Sequence, residues 1–160
     1  MQKIIIFGNS GAGKSTLAKK LQEKHKLDHL DLDLLAWKSS VTPTRKPLAE
    51  SSIDIEQFIS THSDWVIEGC YADLIEIALP HASEIIFINS DIETCINHCK
   101  NRPWEPHKYK TKEQQDDNLA MLIEWIKQYN SRDDEFSLKA HKRIFKLFNG
   151  RKSEIKQVAL

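Results

Sequence analysis

Apolar positions along this chain follow two rhythms. Short unbroken runs, Ile4 to Phe7, Trp65 to Ile67 and Ile85 to Ile88, read as strands buried on both faces. Between them apolar residues recur at helical spacing: Leu17 to Leu21, then Ile55, Phe58 and Ile59, then Leu74, Ile75 and Ala78 ahead of Pro80. The same spacing returns in Ile92, Cys95, Ile96 and Cys99, in Leu119, Leu122, Ile123 and Ile126, and in Leu138, His141, Ile144, Phe145 and Phe148. His29 to Asp33 alternates apolar and acidic, which predicts a second strand carrying Asp31 and Asp33 on one side near its carboxyl end. Glu154 to Ala159 predicts a fifth strand. Strands alternating with helices predict an α/β fold: a three-layer α/β/α sandwich around a five-stranded parallel sheet, one domain over residues 1–160.

Turn chemistry fills the gaps. Ala36 to Glu50, with Pro43 and Pro47 and no apolar period, predicts an irregular loop. Ser90-x-x-Glu93 and Thr111-x-x-Gln114 read as capping boxes that open helices. The polar, basic stretch at about 101–113 lies between a helix and a capped start, so it predicts a mobile excursion.

Composition excludes more than it selects. Lys and Arg number 23 against 23 Asp and Glu, so no global field recommends nucleic acid or a membrane as partner. No apolar run has the length of a membrane span. Cys70, Cys95 and Cys99 are too few for a disulfide framework, and nothing resembles a secretory signal; the expectation is a soluble cytoplasmic protein. Cys95 and Cys99 sit on an apolar helical stripe, where cysteine is more often core than metal ligand.

The chemistry begins after the first strand. Gly8, Gly13, Lys14 and Ser15 fit G-x-x-x-x-G-K-[ST], and strand, glycine-rich loop and helix surround them in the required order. In that context the amides of Gly8, Asn9, Ser10, Gly11, Ala12, Gly13, Lys14, Ser15 and Thr16 can cradle phosphates. Lys14 reaches the β- and γ-phosphates and the Ser15 hydroxyl meets Mg²⁺. A nucleoside triphosphate, ATP with Mg²⁺, is the ligand this predicts.

Asp31 and Asp33, at the carboxyl edge of the sheet, are placed to meet a substrate or a metal; the bland alternative is a solvated strand face. Glu68, just past the third strand, suits a Walker B acid for Mg²⁺, or merely an acid favoured by a helix N-terminus. The 101–113 stretch suits a lid that carries cations to the transferring phosphate. Its alternative is a basic loop on nucleic acid, with Trp104 and Tyr109 stacking on bases.

Together these residues resemble the small P-loop kinases of the adenylate kinase and shikimate kinase group. Asp31-Leu32-Asp33 is similar to the Asp-x-Asp of shikimate kinases, which implies a magnesium role for Asp31 and an acceptor-hydroxyl role for Asp33. Asn101-Arg102-Pro103 resembles their lid, implying that Arg102 approaches the phosphates, and Arg132 sits where that group places an arginine on substrate. Glu68-Gly69 resembles the Asp-Gly that ends the third strand of adenylate kinases. The glycine triplet of shikimate kinases is replaced by Glu68-Gly69-Cys70-Tyr71, and Trp-Glu follows Arg-Pro in the lid. Trp37 with Gly69-x-Tyr71 is also similar to bacterial proteins labelled DNA topology modulation proteins.

The resemblance implies a kinase that moves the γ-phosphoryl group of ATP to a small acceptor, either a shikimate-like hydroxyl compound or a nucleotide. The acceptor would be bound by Asp33, Arg45 and Glu68, and the segment at about 34–62 would form the acceptor-binding part of the domain. Lys14, Arg102 and Arg132 would complete the charge cage, and Ser15, Asp31 and Glu68 would hold the metal. The expected partner is that small molecule, with no membrane, the chain being a monomer or homodimer. The competing expectation is a nucleotide-gated nucleic-acid-binding protein with slow ATPase activity.

Overall fold

Lys3–Gly8 (β1) is the central strand, buried from Ile4 onward. In chain order follow Lys14–His25 (α1), Asp28–Asp31 (β2), Asp33–Ala36 (α2), Leu48–Thr61 (α3), Trp65–Gly69 (β3) and Ala72–Ala78 (α4). A 3₁₀ turn at Leu79–His81 leads to Glu84–Ile88 (β4), Ile92–Lys100 (α5), Lys112–Lys127 (α6), Leu138–Leu147 (α7) and Arg151–Ile155 (β5). This computed structural model describes residues 1–38 and 44–158.

The sheet is five-stranded and parallel, in the order β2-β3-β1-β4-β5. Period-two alternation sorts the apolar strand residues onto two faces. Ile5, Phe7, Trp65, Ile67, Ile85 and Phe87 pack with Ile55, Leu74, Ile75 and Ile144, from α3, α4 and α7. Ile4, Ile6, Val66, Ile86 and Ile88 pack with Ala18, Cys95, Cys99 and Ile126, from α1, α5 and α6. A sheet covered on both sides explains why β1, β3 and β4 read as continuous apolar runs. After β3 the chain crosses over β1 to β4, so the strand order reverses beside the carboxyl end of β1, where open α/β sheets bind ligands.

Several local expectations are corrected. Asp33 is not on the second strand: β2 ends at Asp31, whose Oδ1 accepts the Asp33 amide at 2.9 Å, and the chain turns at once into α2. An aspartate bonding the backbone two residues on is an Asx turn, and it competes with the strand ladder. Leu32 still reaches β3, its amide donating to the Glu68 carbonyl at 2.9 Å, and it packs on Gly69 so closely that a Cβ there would lie 2.9 Å from Leu32 Cβ. Glu68 lies within β3 rather than past it.

The loop after α2 folds back on itself. Trp37 and Arg45 form an antiparallel bridge, and the Lys38 amide donates to the Thr44 carbonyl at 2.8 Å. Its end, from Leu48, already belongs to α3. The expectation for Pro43 lies outside the described residues.

Asp91, not Ser90, caps α5, its carboxylate accepting the Thr94 amide at 2.7 Å. Ser90 instead donates its hydroxyl to the Lys156 carbonyl at 2.8 Å and ties down the segment after β5. Thr111 caps α6 as expected, accepting from the Gln114 amide.

The fifth strand is Arg151–Ile155, three residues earlier than its apolar letters suggest. It is an exposed edge strand whose charged residues hide the alternation. Val158, expected within that strand, lies beside Gly13, and Ala159 lies outside the described residues. Cys95 and Cys99 are buried and free, as core cysteines.

Candidate functional site

The loop after β1 is shaped by its own side chains. Asn9 is buried; its Oδ1 accepts the Ser10 amide at 2.8 Å and its carbonyl accepts the Ala12 amide at 3.1 Å. The His98 ring meets the Gly11 carbonyl at 2.7 Å through Nδ1. Gly11 is left-handed (φ +79°), and a Cβ there would sit 2.4 Å from the Cys95 carbonyl oxygen. Gly13 (φ +100°) occupies the N-cap of α1 and supplies no side-chain acceptor. The first-turn amides of α1 therefore keep no intrahelical partner and face the loop with the helix dipole behind them. An anion fits that cradle. Lys14 donates its ammonium to the Asn9 carbonyl at 2.7 Å. Ser15, one residue on, is half-buried, and Thr16 is exposed.

Three carboxylates gather at the edge beside it. Asp31 stands opposite Glu68 in the β2–β3 register. Burial, with Asp33 and Glu68 adding like charge, pushes the Asp31 carboxyl up to about 6. Glu68 is 2% exposed; His29 Nε2 lies 3.4 Å from its Oε2, which has no hydrogen-bond partner among the described residues.

Asp33 behaves oppositely. Loss of solvent pushes its carboxyl up, but the Lys108 ammonium, the Tyr71 hydroxyl and the charge of Lys14 outweigh it and hold the group below the usual carboxylate range. A carboxylate kept ionised among other acids can accept a proton or orient a hydroxyl.

Among the described residues no three His, Cys, Asp or Glu converge as a closed metal cage. Mg²⁺ does not need one, because it is commonly held by one or two carboxylates plus phosphate oxygens and water. The carboxylate of Asp31, opposite Glu68 in the register, and the half-buried hydroxyl of Ser15 are oxygen donors of the kind such a site uses.

The Asp33 carboxylate is braced from behind. Tyr71 donates its hydroxyl to Asp33 Oδ1 and accepts from Trp37 Nε1 at 2.8 Å. Burial, with the charge of Asp33 and the hydrogen bond to it, pushes the Tyr71 hydroxyl far above its ordinary range, so it stays a neutral donor. Arg45 lies over the Tyr71 ring at 4.9 Å and pairs with Asp73 and Glu135, both at 3.1 Å. The guanidinium expected to meet an acceptor is here matched by two carboxylates.

Residues 101–111 join α5 to α6 and are fastened to the start of α6. The Glu105 amide donates to Gln115 Oε1 at 2.8 Å, Gln115 Nε2 to the Pro103 carbonyl at 3.1 Å, and Asn118 Nδ2 to the Tyr109 hydroxyl at 2.9 Å. Arg102 pairs with Glu105 at 3.4 Å. Arg132 is bound to Asp134 and stacked over Trp125 at 3.6 Å. The cation that reaches the acids is Lys108, 3.0 Å from Asp33 Oδ2 and 3.8 Å from Asp31 Oδ2.

The structure thus brings together the phosphate loop, Asp31, Asp33 and Glu68, and holds Arg45, Arg102 and Arg132 in pairs of their own. Sequence reasoning passed over Lys108 and Tyr71 as partners of Asp33. A lone lysine in a basic loop carries no periodic signal, and the position of Tyr71 two residues beyond Gly69 was the only hint for the other.

A crystal structure of an uncharacterized protein from Eubacterium ventriosum is similar with a TM-score of 0.49 and 16% identity, over 98% of this chain and 90% of that one. The crystal structure of a shikimate kinase from Bacteroides thetaiotaomicron gives a TM-score of 0.46 and 16% identity, over 91% and 97%. No curated protein matches. These matches lend no support to the DNA-topology label. The profile of the AAA domain family matches residues 4–119, which take in the glycine-rich loop, Asp31, Asp33, Glu68 and the segment that joins α5 to α6. The chain belongs to that family of P-loop nucleoside triphosphatases.

Proposed function

We propose that this protein is a phosphotransferase that moves the γ-phosphoryl group of ATP to a hydroxyl on a small molecule. The observation that carries this reading is Asp33: a carboxylate at the sheet edge, held ionised by Lys108 and Tyr71 and close enough to the phosphate loop to feel the charge of Lys14. A carboxylate in that place can deprotonate an acceptor hydroxyl or orient a water, and label on an acceptor against label as free phosphate separates the two.

The amides of residues 8–16 and Lys14 hold the β- and γ-phosphates. Ser15 and Asp31 would hold Mg²⁺, which would supply positive charge to offset that of the transferring group. Glu68, buried opposite Asp31, serves that site through its charge and not by touching the acceptor. Asp33 orients the acceptor hydroxyl and takes its proton. Arg45 braces Tyr71 and closes the acceptor side, while Arg102 and Arg132 leave their present pairs to meet charge developing on the phosphoryl group.

The rival reading, a nucleic-acid-binding ATPase, has less to stand on. Lys108 is committed to Asp33 and the Tyr109 hydroxyl to Asn118, which leaves Trp104, 42% exposed, beside the exposed Arg102, Lys110 and Lys112 as the outward basic-aromatic surface. Salt separates the two. Phosphate-backbone binding weakens steeply as ionic strength rises, whereas transfer to a small acceptor holds. Tight, salt-sensitive DNA or RNA binding with no phosphorylated small-molecule product would overturn the kinase reading.

A further inference from the structure

Lys108 is where the lid and the acids meet. Its backbone amide and that of Tyr109 both donate to the Glu105 carbonyl at 3.0 Å, forming a single turn. Trp104 Nε1 closes that turn by donating to the Tyr109 carbonyl at 3.0 Å, and the Glu105–Gln115 bond fixes it to α6. From this turn the ammonium extends to Asp33 at 3.0 Å, to Asp31 at 3.8 Å and to Glu105 Oε2 at 3.6 Å. The nearby Glu68 Oε2, buried and without a hydrogen-bond partner among the described residues, adds negative charge that Lys108 does not contact.

We propose that Lys108 is the resident counter-ion of the Asp31–Asp33 pair, and that Lys108 and a divalent cation exclude one another there, so that loading the metal unlatches the lid. This rests on reading Asp31 as a metal carboxylate. An ammonium 3.8 Å from Asp31 Oδ2 and 3.0 Å from Asp33 Oδ2 already offsets the negative charge that a divalent ion at the same carboxylate would draw on. Two cations at such spacing repel, more strongly in a half-buried site than in water. Coupling of this kind is reciprocal: whatever the lid contact costs the metal, the metal costs the lid contact. The lid would stay fastened over the acids until the metal arrives, and Lys108, once released, would be free to turn toward phosphate.

The test needs neither turnover nor an acceptor. Mn²⁺ serves as the probe, its free fraction followed by electron paramagnetic resonance on the nucleotide-free protein. Removing the charge in Lys108→Met is expected to tighten Mn²⁺ binding by about tenfold or more, within the usual span of such couplings. Lys108→Arg, which keeps the charge, is expected to stay near the wild type. Adding Asp31→Asn to Lys108→Met should erase the gain and so locate the ion. Amide hydrogen exchange over residues 103–110 should rise with metal in the wild type, and be fast with or without it in Lys108→Met.

A lysine that merely packs the lid would change exchange and leave metal affinity alone. Unchanged, weaker or undetectable Mn²⁺ binding in Lys108→Met therefore overturns the latch, whatever exchange does. A tenfold gain with no phosphoryl transfer to any acceptor would keep the latch and remove the phosphotransferase reading. Transfer without the gain would do the reverse.

Discussion

Tyr71 and Asp33, thirty-eight residues apart, share one hydrogen bond that joins the end of β3 to the turn after β2. The donor is neutral, it is itself held by Trp37, and Arg45 lies over its ring. Asp33 is therefore fixed in direction as well as in charge.

Tyr71→Phe removes that donor and leaves Trp37 Nε1 without its acceptor. A loss of about 1–2 kcal/mol in stability is expected, in the range for a buried bond with one partner deleted. The more telling change is in the pH–rate profile. Asp33 loses one of the contacts that hold it ionised, so the acid limb should move to higher pH while ATP affinity stays put. An unmoved acid limb would mean that Tyr71 only packs the core.

Lys14→Ala should abolish ATP turnover and leave the fold intact, because the contact its ammonium makes is with the loop's own Asn9 carbonyl. Ser15→Ala should weaken the magnesium dependence more than nucleotide binding. Nucleotide titrations beside circular dichroism check both expectations.

Much of this architecture is legible in the amino-acid sequence. The three apolar runs are strands because a parallel sheet covered on both faces needs them to be apolar throughout. The phosphate loop was legible because its glycines answer to backbone geometry, as Gly11 and Gly13 show. The turn at Asp33 was not, because alternation looks the same whether the next residue extends the strand or bonds back to Asp31. The partners of Asp33 were hidden for another reason. Lys108 arrives from 75 residues away, along a segment whose charges look solvated in one dimension.

Arg102 and Lys110, both between α5 and α6, carry distinct expectations. Arg102, paired with Glu105 in this structure, contributes only if it moves, so Arg102→Ala should lower kcat more than it raises KM for ATP. By analogy with arginines in that role the loss is on the order of 10³-fold. Lys110, exposed in the same segment, should tolerate alanine. Steady-state kinetics of the two variants side by side decide the point; a normal kcat in Arg102→Ala would remove it from the cage.

His141 sets a pH limit on the fold. Its Nε2 donates to the Cys70 carbonyl at 2.8 Å and its Nδ1 faces the Tyr129 hydroxyl at 2.7 Å, with the rings of Phe7 and Phe87 against it. Burial lowers its pKa from 6.5 to about 4, so the folded chain keeps it neutral where the unfolded chain takes up a proton. Its contribution is fully present above pH 6.5 and is lost as pH falls from there to about 4, amounting to a few kcal/mol. Asp31, raised to about 6, works with opposite sign below that pH, so the difference between wild type and His141→Gln is the quantity to measure. Denaturant midpoints across that window should converge toward low pH; parallel curves would show that His141 does not titrate this way.

The central claim is that Asp33 serves transfer and not nucleotide binding. The most direct measurement incubates wild type, Lys14→Ala and Asp33→Asn with γ-labelled ATP and a small-molecule extract, and reads label on acceptor and as free phosphate alongside ATP affinity. The expected result is a labelled acceptor with the wild type, no ATP binding in Lys14→Ala, and in Asp33→Asn normal ATP binding with acceptor labelling reduced by about 10²-fold or more. Undiminished labelling in Asp33→Asn, or label appearing only as free phosphate in the wild type, would contradict it.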